Sequence, residues 1–284
     1  MTHRRAALGL ILVCLVWGAS FTVVKGALTG ITPMLFVGIR FTVAILLIAP
    51  MLRGMTRAEF RAGVLLGLLF WCGFVFQTLG ILHTTPSRSA FITALSVPLV
   101  PVVAWAAVRQ RPHLAILAGI LCASAGVYLL TDPGTGGPNR GDLLTLGCAV
   151  FFAGHIVAAG TLGGAGSALR ILGVQFAVTC LLSFAAAPFT ESPAVTPSVA
   201  LALAIAFLAV SAVGTFWFQL RAQRVLPPGE TALIFSLEPL FASLTSWLVL
   251  GEVLSVTQWF GGALVLSAVL LAALPRSSRA LHPA

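Results

Sequence analysis

Long apolar stretches recur along the whole chain, and short polar segments separate them. Most are about 20 residues long, the helical length that crosses the roughly 30 Å hydrocarbon core of a bilayer. Polar and apolar residues do not alternate within them, so the pattern favours helices over barrel strands. We therefore predict ten membrane-spanning helices. They lie near residues 6–24, 33–52, 62–82, 89–108, 113–130, 143–162, 170–189, 199–220, 231–251 and 254–274.

The composition agrees with a membrane protein and argues against a soluble one. Of the 284 residues, 59% are hydrophobic and 8% are charged, whereas soluble globular proteins have about 25% charged residues. Mean hydropathy is +1.06. The ten predicted spans leave only short loops, without room for a folded domain outside the lipid bilayer. We predict an all-α integral membrane protein.

The first apolar run, residues 6–24, follows Arg4 and Arg5 and so shares features with a secretory signal peptide. It is longer than the apolar region of such a peptide and leads into another hydrophobic segment. We interpret it as a retained first helix.

The distribution of basic residues predicts the orientation, because cytoplasmic loops are enriched in Arg and Lys. With the N-terminus inside, twelve arginines fall on inside segments, and only Arg88 and Arg140 fall on outside loops. Both termini are then cytoplasmic in a multi-pass protein, which we expect in a bacterial inner (plasma) membrane. The inside arginines are Arg4, Arg5, Arg53, Arg57, Arg61, Arg109, Arg111, Arg170, Arg221, Arg224, Arg276 and Arg279.

The two halves of the chain resemble each other. Phe76-Gln77 aligns with Phe218-Gln219, and Trp17-Gly18 aligns with Phe152-Ala153. Five helices in each half give the halves opposite polarity, which predicts two inverted five-helix repeats with substrate bound between them near the midplane. The predicted units are a first repeat at 1–130, an outside linker at 131–142, a second repeat at 143–275 and a cytoplasmic tail at 276–284.

Several short motifs occur in a characteristic order. They are Trp17-Gly18-Ala19-Ser20-Phe21 with Lys25, Arg40-Phe41, Ala90-Phe91-Ile92-Thr93 with Pro98 and Pro101, Gly141-Asp142, and Leu237-Glu238-Pro239 running to Leu250-Gly251-Glu252. Their order and spacing resemble the drug/metabolite transporter superfamily with two EamA-type repeats, over essentially the whole chain. This resemblance implies ten helices, cytoplasmic termini and transport of small organic metabolites, often outward.

Glu238 is the most informative candidate residue, since a charged side chain near mid-bilayer costs roughly 2.5–3.5 kcal/mol on insertion scales. It precedes Pro239, which removes a backbone donor and breaks the helix. A broken helix and a carboxyl group therefore coincide, as at substrate or ion sites of transporters. Glu238 is a candidate proton-binding group or counter-charge for a cationic substrate. The alternative is a structural hydrogen bond across the break.

Two further candidates lie near the middle of their spans. His155 changes charge near neutral pH and is a candidate proton relay to Glu238 or substrate contact; the alternative is a structural hydrogen bond. Trp17 offers an aromatic face for an aromatic or cationic ligand, and Gly18 beside it allows close approach. Core packing is the alternative for Trp17.

Other polar residues have either a site or a structural interpretation. Arg40 is a candidate partner for a carboxylate or a structural anchor, while Lys25 is expected to be an interfacial anchor. Gln77 and Gln219 are repeat-related and are candidates for gate hydrogen bonds, or for ordinary interhelical bonds. The prolines Pro98, Pro101 and Pro239 are expected to bend helices and so to gate or shape the cavity.

Catalytic and cofactor signatures are absent from the sequence. There is no Walker A motif, no H-E-x-x-H and no G-x-S-x-G, and the five cysteines lack metal-ligand spacing. We therefore predict no enzyme, no catalytic residue, no metal and no cofactor. Basic residues are scattered singly despite a net charge of +9, so no nucleic-acid partner is expected.

The sequence favours a secondary transporter that moves a small organic metabolite, amino acid-like or drug-like, by alternating access. Proton-coupled export is the leading hypothesis, and an uncoupled facilitator or exchanger is the alternative. An intramembrane enzyme acting on a lipid-linked substrate is the alternative from another class, disfavoured by sparse carboxylates. Substrate identity, direction and the choice between monomer and homodimer stay open.

Overall fold

The computed structural model describes residues 1–108, 121–122, 125–126, 128–129, 137–226, 231, 234–235 and 237–273. Within these ranges the chain is helical, and its only bridge between extended segments pairs Ile31 with Val195. The first half contains α1 (His3–Ala27), α2 (Pro33–Ile48), α3 (Arg57–His83), α4 (Pro86–Thr93) and α5 (Ser96–Val108). The second half contains α6 (Arg140–Leu162), α7 (Ala168–Thr190), α8 (Val199–Ala222), α9 (Glu238–Leu250) and α10 (Val256–Ala273).

Seven helical segments among the described residues are long and apolar enough to cross a membrane, so the prediction of a multi-pass helical membrane protein is confirmed at that level. Helix α9 is apolar but has 13 residues. Most of the predicted span 113–130, part of the linker 131–142 and the tail 276–284 lie outside the described residues. The seven segments are His3–Ala27, Pro33–Leu52, Arg57–His83, Pro86–Ala107, Arg140–Leu162, Ala168–Thr190 and Val199–Ala222.

Helices of the first half pack mainly against helices of the second half. Helix α2 lies against α7 and α8, and α3 lies against α6 and α7. Helix α1 lies against α8 and α9, while α4 lies against α6 and α9. Exchanging α1, α2 and α3 for their counterparts α6, α7 and α8 turns the α2–α8 contact into the α3–α7 contact and the α1–α8 contact into the α3–α6 contact. The two halves are therefore interleaved, and the space at the centre is bounded by both.

Aromatic rings fill the interior between the halves. Phe41 contacts Phe176 with ring centroids 5.0 Å apart, and Phe70 contacts Phe216 at 4.6 Å. Phe41, Phe70 and Phe176 are fully buried. Such rings contribute large apolar areas and specific edge-to-face contacts, so they hold the central helices at fixed separations around the cavity described below.

Polar contacts fasten the helix ends that the arginine distribution predicts to be outside. Lys25 Nζ donates to the carbonyl oxygens of Ile81, Leu82 and Thr84 at 2.6, 3.1 and 3.0 Å. A cation is favourable at a helix C-terminus, and these carbonyls belong to the end of α3. Arg88 pairs with Asp142 at 2.5 Å. Lys25 is thus engaged at a helix end, in agreement with an anchoring role.

One ion pair joins α3 to the beginning of α7. The Glu59 carboxylate accepts from Arg170 Nη2 at 2.7 Å and from the Ser167 backbone N–H at 2.7 Å. Glu59 also completes a capping box with Thr56, which satisfies the first N–H groups of α3. The end of the bundle predicted inside is therefore held by a carboxylate that serves two helix N-termini.

Candidate functional site

A cavity of about 60 Å³ lies between the two halves. Its walls include the aromatic side chains of Phe21, Phe74, Phe216 and Phe235, so it is apolar over much of its surface. A concave apolar pocket with a few converging polar groups is the usual form of a small-molecule site. Six of the seven predicted site residues line it, namely Trp17, Arg40, Gln77, His155, Gln219 and Glu238.

Gly18 does not line the cavity. A Cβ at this position would lie 2.7 Å from the Ala242 backbone nitrogen and 2.9 Å from the Glu238 carbonyl oxygen. The absence of a side chain therefore lets α1 approach the backbone of α9. Gly18 positions the helix that carries Glu238, whereas the sequence led us to expect close approach beside Trp17.

We expect Gly18→Ala to lower the unfolding temperature in detergent, because overpacking an interior contact costs about 1–3 kcal/mol. Gly26→Ala is the matched control in α1, since a Cβ there has no atom within 4 Å. The control should be as stable as the wild type or slightly more so, given the higher helix propensity of alanine. Equal unfolding temperatures for the two variants would contradict this account of the α1–α9 contact.

The predicted helix-bending prolines also lie outside the cavity lining. Pro239 is buried in the first turn of α9, and Pro101 lies inside α5. Pro98 is the third residue of α5. Helix α4 ends at Thr93, and Ala94 and Leu95 separate it from α5. The three prolines therefore lie in the first two turns of α5 and in the first turn of α9.

Arg40 is a buried charged group that forms no ion pair among the residues that the structure describes. Its residue is 4% exposed, and its Nε has no hydrogen-bond partner. The guanidinium carbon lies 5.1 Å from the centre of the Phe41 ring and 5.0 Å from that of Phe74, within the range of cation–π contacts. Burying an unpaired charge is costly, so the guanidinium is suited to an anionic group that enters the cavity.

Glu238 is the first residue of α9, and its half-buried side chain lines the cavity. No group in the described ranges donates a hydrogen bond to its carboxyl or forms an ion pair with it. The helix dipole favours a negative charge at this position. Glu238 thus presents an unpartnered carboxyl at the start of a helix, opposite in sign to Arg40.

His155 is hydrogen-bonded away from Glu238. Its Nε2 lies 3.2 Å from Gln175 Oε1, and its ring packs 5.4 Å from the Phe70 ring centre. The amide nitrogen of Gln175 is buried without a partner. No hydrogen bond joins His155 to Glu238 within the described part of the chain, so a relay between them would need an intervening water or substrate group.

Trp17 forms one wall of the cavity. Its Nε1 donates to Thr215 Oγ1 at 2.9 Å, which satisfies its polar edge. The indole packs against Phe216 and Phe235, both with ring centres 4.9 Å away. A ligand would therefore contact the indole through its face.

The side-chain amide of Gln219 uses its nitrogen in a hydrogen bond but leaves its oxygen without a partner. Its Nε2 donates to Gln223 Oε1 at 3.1 Å, and Gln223 in turn donates to the Ile156 carbonyl. The Oε1 of Gln219 is buried without a partner. Gln77, its repeat-related residue, is half-buried and makes no hydrogen bond with a described residue. The cavity thus offers a fixed acceptor from α8 and an unengaged amide from α3.

Many cavity residues form pairs at constant sequence separations. The separation is 135 residues for helices α1, α2, α6 and α7, and 142 residues for the later helices of each half. Phe74 and Phe216 are identical, as are Gln77 and Gln219, but three pairs join a charged or titratable residue with an uncharged one. They are Ser20 with His155, Arg40 with Gln175, and Ser96 with Glu238. The charged and titratable groups are the positions at which the pairing breaks down.

Gln175 is a residue that sequence reasoning missed. It fixes His155, yet it sits in a long apolar run as an uncharged residue. The repeat could have identified Gln175, because Gly38-Ile39-Arg40-Phe41 recurs as Gly173-Val174-Gln175-Phe176 and places Gln175 at the position of Arg40. Ser20 and Ser96 were also missed, and both line the cavity.

The described residues contain no group of three or more His, Cys, Asp or Glu side chains that could hold a metal ion.

Comparison with known proteins supports a transport role. An uncharacterized transporter of Archaeoglobus fulgidus is 34% identical over 270 residues, covering 95% of this chain and 86% of the relative. The uncharacterized transporter YvbV of Bacillus subtilis is 24% identical and covers 95% of this chain and 92% of its own length. A solved crystal structure shares the fold, with a TM-score of 0.68, 19% identity and coverage of 95% and 97% of the two chains.

The family model described as the EamA-like transporter family matches the chain twice, at residues 4–132 and 139–274. The two matches cover nearly the whole sequence, and they carry the resemblance that the motifs of the first and second halves suggested. The chain is a multi-pass membrane transporter that belongs to the EamA-like transporter family.

Proposed function

We propose that this protein is a secondary transporter whose central cavity binds a small zwitterionic metabolite, such as an amino acid. The observation that carries the proposal is the presence in one cavity of two unpartnered groups of opposite charge, Arg40 and Glu238. Each comes from a different half of the chain. A substrate with both charges would compensate both groups at once.

The chemistry of the walls suggests the orientation of the substrate. The Arg40 guanidinium suits a carboxylate, which it can bind through two parallel hydrogen bonds. The Glu238 carboxyl and the unpaired Gln219 Oε1 are both acceptors, and they suit an ammonium group. The Trp17 and Phe216 rings offer an apolar surface for a side chain. A drug-like cation would use the same carboxyl and rings, but it would leave Arg40 uncompensated.

We propose alternating access by rocking of two inverted repeats around this cavity. Three features support it. The contacts among α1, α2, α3, α6, α7 and α8 exchange when the halves are exchanged, and Trp17 packs on Phe216 as its repeat counterpart Phe152 packs on Phe74. Phe41 contacts its own counterpart Phe176, as expected beside a two-fold axis.

Export coupled to inward proton movement is the coupling that we propose, with Glu238 as the proton-binding group. An uncoupled facilitator or exchanger would use the same cavity without a net proton flux. We further propose a location in a bacterial inner membrane with both termini cytoplasmic, which rests on the distribution of arginines.

The placement of the acidic residues disfavours an intramembrane enzyme. Of the five acidic residues in the described ranges, four make hydrogen bonds at helix ends, and only Glu238 lines the central cavity. A catalytic site for a lipid-linked substrate would need several polar groups together. The four residues are Glu59, Asp142, Glu191 and Glu252.

The proposal is tested with purified protein in liposomes that contain a pH-sensitive dye. Amino acids, cationic drugs and phosphorylated sugars are added singly, and internal pH and radiolabel counterflow are recorded. We expect an amino acid to change the internal pH and to exchange with its labelled form. Counterflow without a pH change would support the transport function but contradict the proposed coupling to protons. Activity with phosphorylated sugars alone would contradict the zwitterion site.

A further inference from the structure

A second groove lies between α9 and α10, apart from the central cavity. Its volume is about 370 Å³, and its lining includes two tryptophans, a carboxylate and a serine. These are Trp247, Trp259, Glu252 and Ser243. None of these groups lines the central cavity proposed above as the transport site.

Two oxygen atoms in this groove have no partner within the described part of the chain. Glu252 receives hydrogen bonds from Ser87 Oγ, at 2.9 Å, and from Ser246 Oγ, but all of them reach Oε2. Its Oε1 accepts none. Ser243 is 9% exposed, and its Oγ is buried without a partner. A carboxylate oxygen and a hydroxyl are therefore available to a donor that enters the groove.

The nearby cations are engaged elsewhere. Lys25 Nζ donates to carbonyl oxygens at the end of α3, and Arg88 pairs with Asp142. Neither forms an ion pair with Glu252 among the residues that the structure describes. The Lys25 ammonium is close enough to act on the charge of Glu252, but it makes no hydrogen bond to it, so Oε1 is open to a donor from outside the protein.

The two indoles lie near the loop that joins α9 to α10, where tryptophans of membrane proteins commonly gather at the lipid–water interface. Trp247 is three residues before the end of α9 and Trp259 three residues after the start of α10, so each is about one helical turn from the connecting loop. Each is more than half exposed. Indole faces attract ammonium groups, and two of them beside a carboxylate disfavour an anionic ligand.

We propose that this groove binds the ammonium headgroup of a membrane lipid of the ethanolamine or choline type. A lipid is favoured over a soluble amine because the surface around the groove is apolar and exposed. Leu244, Leu248, Val249 and Val253 form this surface, and in a membrane it is covered by acyl chains. The acyl chains would lie on these residues while the ammonium reaches Glu252 Oε1 and the two rings.

The test uses the full protein in detergent with an equal mixture of phosphatidylethanolamine and phosphatidylglycerol of identical acyl chains. Native mass spectrometry then measures which lipid stays bound. Two cation–π contacts predict about tenfold retention of phosphatidylethanolamine over phosphatidylglycerol. The double variant Trp247→Leu/Trp259→Leu should reduce this ratio to about one. Trp105→Leu is the matched control, since Trp105 is an exposed tryptophan outside the groove.

Glu252→Gln and Ser243→Ala carry the test if the double tryptophan variant does not fold, and each should lower the ratio. Titration with free ethanolamine and free choline, followed by tryptophan fluorescence, separates the two sources of the ammonium group. If these ions bind but the protein shows no lipid selectivity, the groove is a site for a soluble ammonium compound and the lipid is rejected as its ligand. Equal retention of both lipids by the wild type, with no response to the free ions, would overturn the site.

Discussion

Glu238→Gln is expected to abolish substrate-dependent proton movement while leaving counterflow exchange of the same substrate measurable. The carboxyl is unpartnered among the described residues and lines the cavity at the first position of α9. Glutamine keeps its size and its acceptor oxygen but cannot bind and release a proton. Net transport driven by a pH gradient should therefore fall to the level of empty liposomes.

Glu191→Gln is the matched control for this prediction. Glu191 is also a carboxylate, but it accepts hydrogen bonds from the backbone of Met34 and Leu35 at the start of α2. Glutamine can still accept a bond there, so coupling should persist. If proton-driven transport is unchanged in Glu238→Gln, Glu238 is not the coupling residue. Equal losses in both variants would indicate a general effect of lost charge or stability.

Arg40→Met is expected to raise the KM for a carboxylate-bearing substrate at least about 30-fold, because removing one partner of a buried charge pair costs roughly 2–5 kcal/mol. The same variant should not unfold at a lower temperature. Arg40 has no ion pair in the described ranges and an unsatisfied Nε, so an apolar chain of similar length removes a buried, uncompensated charge.

Substrate analogues sharpen this second prediction. An amine that lacks the carboxylate should be transported equally by the wild type and by Arg40→Met. Arg40→Lys should be intermediate, since lysine keeps the charge but loses the bidentate geometry. A large fall in unfolding temperature with unchanged KM would instead make Arg40 a structural residue held by its contacts with Phe41 and Phe74.

Several elements could be located from hydropathy because their apolar runs are bounded by local signals. The predicted span 170–189 is α7, Ala168–Thr190. The span 6–24 is the longer helix α1, which begins after Thr2, whose side chain caps its first turn. These helix boundaries are set by interactions between residues that are close in the sequence, so they can be predicted from the sequence alone.

The candidate site was found only in part, since a side chain's role depends on partners distant along the chain. Lys25 and Arg40 are both cations, the first just after the apolar run 6–24 and the second inside the run 33–52. Lys25 binds carbonyl oxygens 56 to 59 residues away, whereas Arg40 finds no such group within the described ranges. Gly18 was expected to favour a ligand, but the backbone of Ala242 occupies that space.

By itself the sequence determined the class of protein, the positions of most helices and the residues whose charge is costly in a membrane. These follow from transfer free energy, which is a property of each segment in its solvent. Only the tertiary structure decided which polar groups stay unsatisfied. That depends on contacts such as Trp17 with Thr215, 198 residues apart, and those contacts exist only once the two halves have packed around a common cavity.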